Sequence, residues 1–152
     1  MGHYQSVIVG LSLLLTCCAH QPSFAQQVDS AYRRWYNATC NAPRYTAIRI
    51  VPEIKECGIP DPKLQLVGPP KWWGCFYSDL GLIEISSHVP HETREQVIAH
   101  EMGHALNPHR HVDNGTGIMA AGVSSAVPYI TKADIEMVCQ ENDCACQRPE
   151  TP

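Results

Sequence analysis

Residues 100–111 read HEMGHALNPHRH, and this stretch constrains the chain more than any other. Val97, Ile98, Met102 and Ala105 are apolar at helical spacing, so a helix is predicted over 91–106. On it His100 and His104 lie one turn apart on one face. Pro108 prevents the helix continuing, and Asn107 is expected to take the left-handed conformation that ends it. The chain then reverses, carrying two further histidines, His109 and His111.

Two neutral imidazoles so placed can share one cation, and imidazole suits zinc. Glu101 falls on an adjacent face, where its carboxylate would reach a water on the metal rather than the metal itself. A pattern of three fixed positions also arises by chance. Here it sits in an apolar-periodic helix after a strand pair, and six histidines fall between residues 88 and 111. His88 and His91 are expected at the surface, where the helix begins.

The rest of the chain reads as short elements. A helix is expected over 28–39 with Val28, Ala31, Tyr32 and Trp35 on one face. A strand is expected over 45–51, stopped by Pro52, and another short one inside the proline-rich stretch 58–70. WWGCFYS and LIEISS flank Asp79-Leu80-Gly81 as a hairpin. A last helix is expected over 132–142, with Thr131 as N-cap and Asp134 favourable to the helix dipole. This order gives an α+β domain.

Residues 7–19, VIVGLSLLLTCCA, are apolar but too short to span a bilayer comfortably. They precede Ser-Phe-Ala at 23–25, so residues 1–25 are read as a signal peptide cleaved after Ala25, despite the lack of Lys or Arg before the apolar run. Lipid attachment at Cys17 or Cys18 is the alternative, disfavoured by the residues before each. Residues 26–146 would form the folded domain, with 147–152 a disordered tail. Cys40, Cys57, Cys75, Cys139, Cys144 and Cys146 then remain, an even number that favours three disulfides over a second metal site. Bridges from the C-terminal cluster to the earlier cysteines would close long loops. A net charge of −4 with no basic run argues against nucleic acid or an anionic membrane surface as partner.

REQVIAHEMGHALN resembles the active-site helix of the metzincin zinc peptidases, closest to their matrixin-like branch. Gly117-Ile118-Met119-Ala120 is similar to their Met-turn, and ITKADIEMV (130–138) to the start of their C-terminal helix. The resemblance spans about residues 75–140 and is weak before residue 72. It implies a small zincin fold: a short mixed sheet, an active-site helix, a Met-turn with Met119 beneath the metal, and a C-terminal helix.

In the family pattern a glycine and the third ligand would fall at Asn107 and Arg110. Arginine stays protonated and offers no lone pair, so the loop differs by one residue. His111 stands eight residues before Met119, which matches the family's interval, whereas His109 stands ten before it. His111 is therefore expected as third ligand, with His109 as the alternative. Tyr129 is read as packing rather than as part of a substrate-binding wall, because its spacing is not the family's. Cys57-Gly-Ile-Pro-Asp61 resembles the matrixin cysteine switch, but lies too close to His100 to precede a whole catalytic domain. Cys57 is expected in a disulfide.

These readings imply a secreted or periplasmic zinc endopeptidase, monomeric, acting on protein or peptide. His100, His104 and His111 would bind one catalytic zinc, and Glu101 would be general base. The rivals are a non-catalytic zinc-binding module and a zinc amidase acting on cell-wall peptide.

Overall fold

Helix α1 (Phe24–Thr39) starts at Phe24 rather than Val28 because of a local signal. The Ser23 hydroxyl accepts from the Gln26 N–H at 3.3 Å, and the Gln26 side chain accepts from the Ser23 N–H at 2.7 Å. This reciprocal capping box satisfies two N–H groups that a helix start leaves open. The computed structural model describes residues 21–55, 57, 72–107, 111–112, 117–120, 129–140 and 142–151. The expected strand within 58–70 lies outside these residues, as do Cys17, Cys18, His109 and residues 1–20 of the expected signal peptide.

Three strands follow: β1 (Ala47–Val51), β2 (Gly74–Tyr77) and β3 (Leu82–Ser86). The turn at Ser78–Gly81 joins β2 to β3 as the expected hairpin, and Gly81 takes φ 60° there, a conformation that favours glycine. β1 pairs with β3 in parallel, so the sheet is mixed, in the order β1-β3-β2. Helix α2 (His91–Leu106) and helix α3 (Lys132–Cys139) complete an α+β domain of three helices and three strands among the described residues.

Alternation along β3 decides what faces the core. Ile83 and Ile85 are fully buried against Val97, Ile98 and Met102 of α2. On the opposite face Glu84 accepts from Arg49 of β1 and from the Tyr77 hydroxyl of β2. Trp35 of α1 is fully buried and donates from Nε1 to the Ala99 carbonyl at 2.6 Å, which docks α1 on α2. Ile135 and Val138 of α3 close the core.

Two helix ends depart from expectation. Asn107 is extended at φ −143°, not left-handed, and its amide donates to the Met137 carbonyl at 3.0 Å. α2 is thus ended by a tertiary contact that holds α3. α3 stops at Cys139 instead of 142, because the Asn142 amide folds back to the carbonyls of Val138 and Leu106. One side chain thereby caps two helices.

The six cysteines form three bridges: Cys40–Cys146, Cys57–Cys75 and Cys139–Cys144. Only the first joins the C-terminal cluster to the early chain; the other two are local. Residues 147–151, expected to be a free tail, are strapped to the body. Arg148 N–H donates to Ala38, Glu150 pairs its backbone with Ile130, and the Glu150 carboxylate takes two hydrogen bonds from Arg34 at 2.9 and 2.8 Å. Arg34 and Glu150, 116 residues apart in sequence, are a matched pair in space. Among the described residues no helix is long and apolar enough to cross a membrane.

Candidate metal centre

α2 carries His100 and His104 to the end of the helix that faces the segment 117–120. His111 returns to the same point. Its neighbour Val112 donates from the backbone to the Met119 carbonyl at 2.8 Å, which fixes the return. The three Nε2 atoms converge: His104 lies 3.2 Å from His100 and 3.2 Å from His111, and His111 lies 3.3 Å from His100. His100 is buried, His104 half-buried and His111 exposed, so the cluster opens to solvent on one side. Three such donors can hold a metal ion.

The proton on His100 is placed by its partner. Nδ1 lies 2.7 Å from the Ile118 carbonyl oxygen, which can only accept, so Nδ1 carries the hydrogen and Nε2 presents its lone pair. Burial lowers the His100 pKa to about 4, opposed by that carbonyl and assisted by His111. The imidazole is therefore neutral near pH 7, the form a metal requires.

Glu101 is buried, at 6% exposure, beneath strand β2. Burial raises its carboxyl pKa to about 8, against the pull of the Phe76 N–H donated to it. A nearby cation would favour its charged form. Gly74 makes room: a Cβ there would stand 2.5 Å from a Glu101 carboxylate oxygen and 2.8 Å from Val97. Glycine in a strand signals such a close approach, and Gly74 in the WWGC stretch is the sequence signal that could have marked it.

Met119 is fully buried, with its sulfur against Gly103 in the helical turn between His100 and His104. The turn holding Met119 depends on Asp134, which sequence reading credited only with a dipole role. The Asp134 carboxylate accepts from the N–H groups of Ile118 (3.2 Å), Met119 (2.9 Å) and Thr131 (2.6 Å), and from the Thr131 hydroxyl (2.7 Å). Gly117, at φ 98°, allows the contact, since a Cβ there would run into this carboxylate. A buried side chain can be assigned this task only once the tertiary contacts are known.

The other sequence candidates stand apart from the cluster. His88 is exposed, and His91 meets the Pro22 carbonyl at 2.9 Å. Tyr129 is 38% exposed, and its carbonyl accepts from Ile118. Cys57 is bonded to Cys75 and offers no thiolate. His109 lies outside the described residues. No protein-family model matches the chain, and comparison with curated proteins and with solved structures finds no match.

Proposed function

We propose that this chain is a zinc-dependent endopeptidase of metzincin type, exported from the cytosol; cleavage after Ala25 would remove Ser23, so α1 of the cleaved chain would start without that cap. The observation that carries the reading is the spacing of three imidazole nitrogens beside a buried glutamate. Ligands about 2.0–2.1 Å from a tetrahedral ion stand roughly 3.3–3.4 Å apart, and the three Nε2 atoms are separated by 3.2, 3.2 and 3.3 Å. Three histidine donors with one side open to solvent fit a catalytic zinc better than a closed structural one.

Zinc held there would supply a Lewis acid that acidifies water and polarises a scissile carbonyl. Glu101, whose carboxyl accepts from the Phe76 N–H, would take the proton of the attacking water and return it to the leaving nitrogen. β2 is an edge strand among the described residues. An extended peptide could pair with it by β-augmentation, bringing a peptide bond to the histidines. The substrate class is therefore protein or peptide, and a monomer suffices. Three disulfides fit an oxidising compartment such as the periplasm or the cell exterior.

The decisive experiment measures zinc content together with cleavage of a denatured protein, with and without a chelator. One zinc per chain and chelator-sensitive cleavage are expected. Zinc without cleavage would support the non-catalytic zinc module, and cleavage confined to cell-wall peptide would support the amidase.

A further inference from the structure

We propose that Asp134 is a positioning residue for the metal centre, acting on His100 through one peptide group. This rests on the metal-binding reading above. The peptide between Ile118 and Met119 offers one donor and one acceptor, pointing in opposite directions across a trans bond. Its N–H, on Met119, donates to Asp134 Oδ1 at 2.9 Å. Its carbonyl, on Ile118, accepts from His100 Nδ1 at 2.7 Å. Carboxylate, peptide and imidazole thus form an unbroken line ending at the nitrogen that faces the other two histidines.

Metal-bound histidines commonly give their second N–H to a carboxylate or carbonyl, which fixes the tautomer and strengthens the donor. Here both partners are present in series. A negative group on the peptide N–H makes the peptide oxygen a better acceptor, because linked hydrogen bonds polarise one another. The same turn also serves His111, since the Met119 carbonyl holds Val112. Asp134 is fully buried and, among the described residues, has no cation beside it; its hydrogen bonds come from neutral donors. Capping α3 alone would be served by an exposed side chain. Burial against the 117–120 turn, with Gly117 required to admit it, points to the turn as what the carboxylate serves.

Asp134→Asn keeps the shape but replaces one acceptor oxygen with a donor. The amide oxygen would stay with the three donors on the Oδ2 side, and the Met119 N–H would face an NH2 group. Thr131→Ala is the control, because it weakens the α3 cap and removes one bond to Oδ2 while leaving the Met119 N–H on Oδ1. Both are titrated with cobalt(II) in competition with a chelator, and the visible absorption of bound cobalt is recorded. Thermal unfolding and long-range nitrogen NMR of His100 are measured on the metal-free chains. Asp134→Asn should weaken cobalt binding about 10–100-fold, alter the cobalt band and mix the His100 tautomers. Thr131→Ala should lower the melting temperature with cobalt affinity unchanged within about twofold. Should Asp134→Asn not fold, Gly117→Ala displaces the same carboxylate and is measured in the same way. Parent-like affinity, band and tautomer in Asp134→Asn, or equal affinity loss in Thr131→Ala, would overturn the relay alone. A parent chain that binds no cobalt would overturn the metal centre and the relay with it.

Discussion

Gly103 is packed so tightly against the sulfur of Met119 that no Cβ fits between them. The Trp35 ring closes the same gap at 2.8 Å from where that Cβ would lie. α1, α2 and the 117–120 turn therefore meet at one atom-sized position, directly before His104 on the helix that carries both histidines.

Gly103→Ala tests this contact through its sign. In a free helix the change would stabilise by about 0.5–1 kcal/mol. Here overpacking should destabilise by about 1–3 kcal/mol, read by chemical denaturation. Stability above the parent's would mean that Met119 moves aside freely.

Glu101→Gln should keep the metal and lose peptide hydrolysis, since an amide cannot take up the water's proton. It also carries a pH signature in chelator-treated protein. The folded-state pKa of Glu101 is raised from 4.5 to about 8 by burial, so its stability contribution is complete below 4.5 and lost as pH rises through 8. The parent should become less stable relative to Glu101→Gln as pH rises across that interval. Parallel pH profiles for the two metal-free proteins would contradict the buried, protonated carboxyl.

The strap at the C-terminus has the opposite pH dependence. Burial alone would raise the Glu150 pKa, but the Arg34 hydrogen bonds, the Ile130 N–H and the Arg34 charge outweigh it and hold the carboxyl below its ordinary value. Its contribution is present above pH 4.5 and lost as pH falls through the lowered folded value. Glu150→Gln should therefore destabilise by about 1–3 kcal/mol near neutrality and lose less than the parent on acidification. A difference between the two that does not shrink in acid would refute the strap.

How much of this was legible depended on whether the signal was local. The bounds of α2 follow from apolar periodicity and the Asn-Pro break, and Gly81 marks the hairpin. The convergence of His111 on the helical pair came from its interval to Met119. The parallel pairing of β1 with β3 has no local signature, because its partner lies across a long connection. The start of α1 was missed because Ser23 and Gln26 stood astride the expected cleavage point. Asn107 misled because its side-chain bond to Met137, a tertiary contact, overrode its turn preference. Asp134 was recognised as a first-turn residue, but its partners Ile118 and Met119 lie in another segment.

The disulfides should contribute unequally. Cys40–Cys146 spans 106 residues and Cys139–Cys144 spans 5. In the chain-entropy model these loops correspond to about 5 and about 2 kcal/mol. Replacing both cysteines of the first pair by serine should thus lower the denaturation midpoint more than replacing the second pair. The first bridge also anchors the segment that leads to Glu150, which adds to its effect. Equal losses would indicate that loop length does not govern stability here. Thiol titration of unreduced, unfolded protein should find no free group among the six.

The last prediction separates the two late histidines. His111 Nε2 stands 3.2 Å from His104 and 3.3 Å from His100, and the Val112–Met119 hydrogen bond holds the backbone beside it. A catalytic zinc uses three protein ligands and leaves one position open, so a fourth histidine should be dispensable. His111→Ala should weaken zinc binding severely, as should His100→Ala and His104→Ala, while His109→Ala should leave it within a few fold. The variants are compared against a competing chelator at fixed pH, because protons compete for the same nitrogens. The reverse ranking would make His109 the third ligand. Equal, large losses in His109→Ala and His111→Ala would mean that both bind, filling the position water needs and turning the site into a structural one.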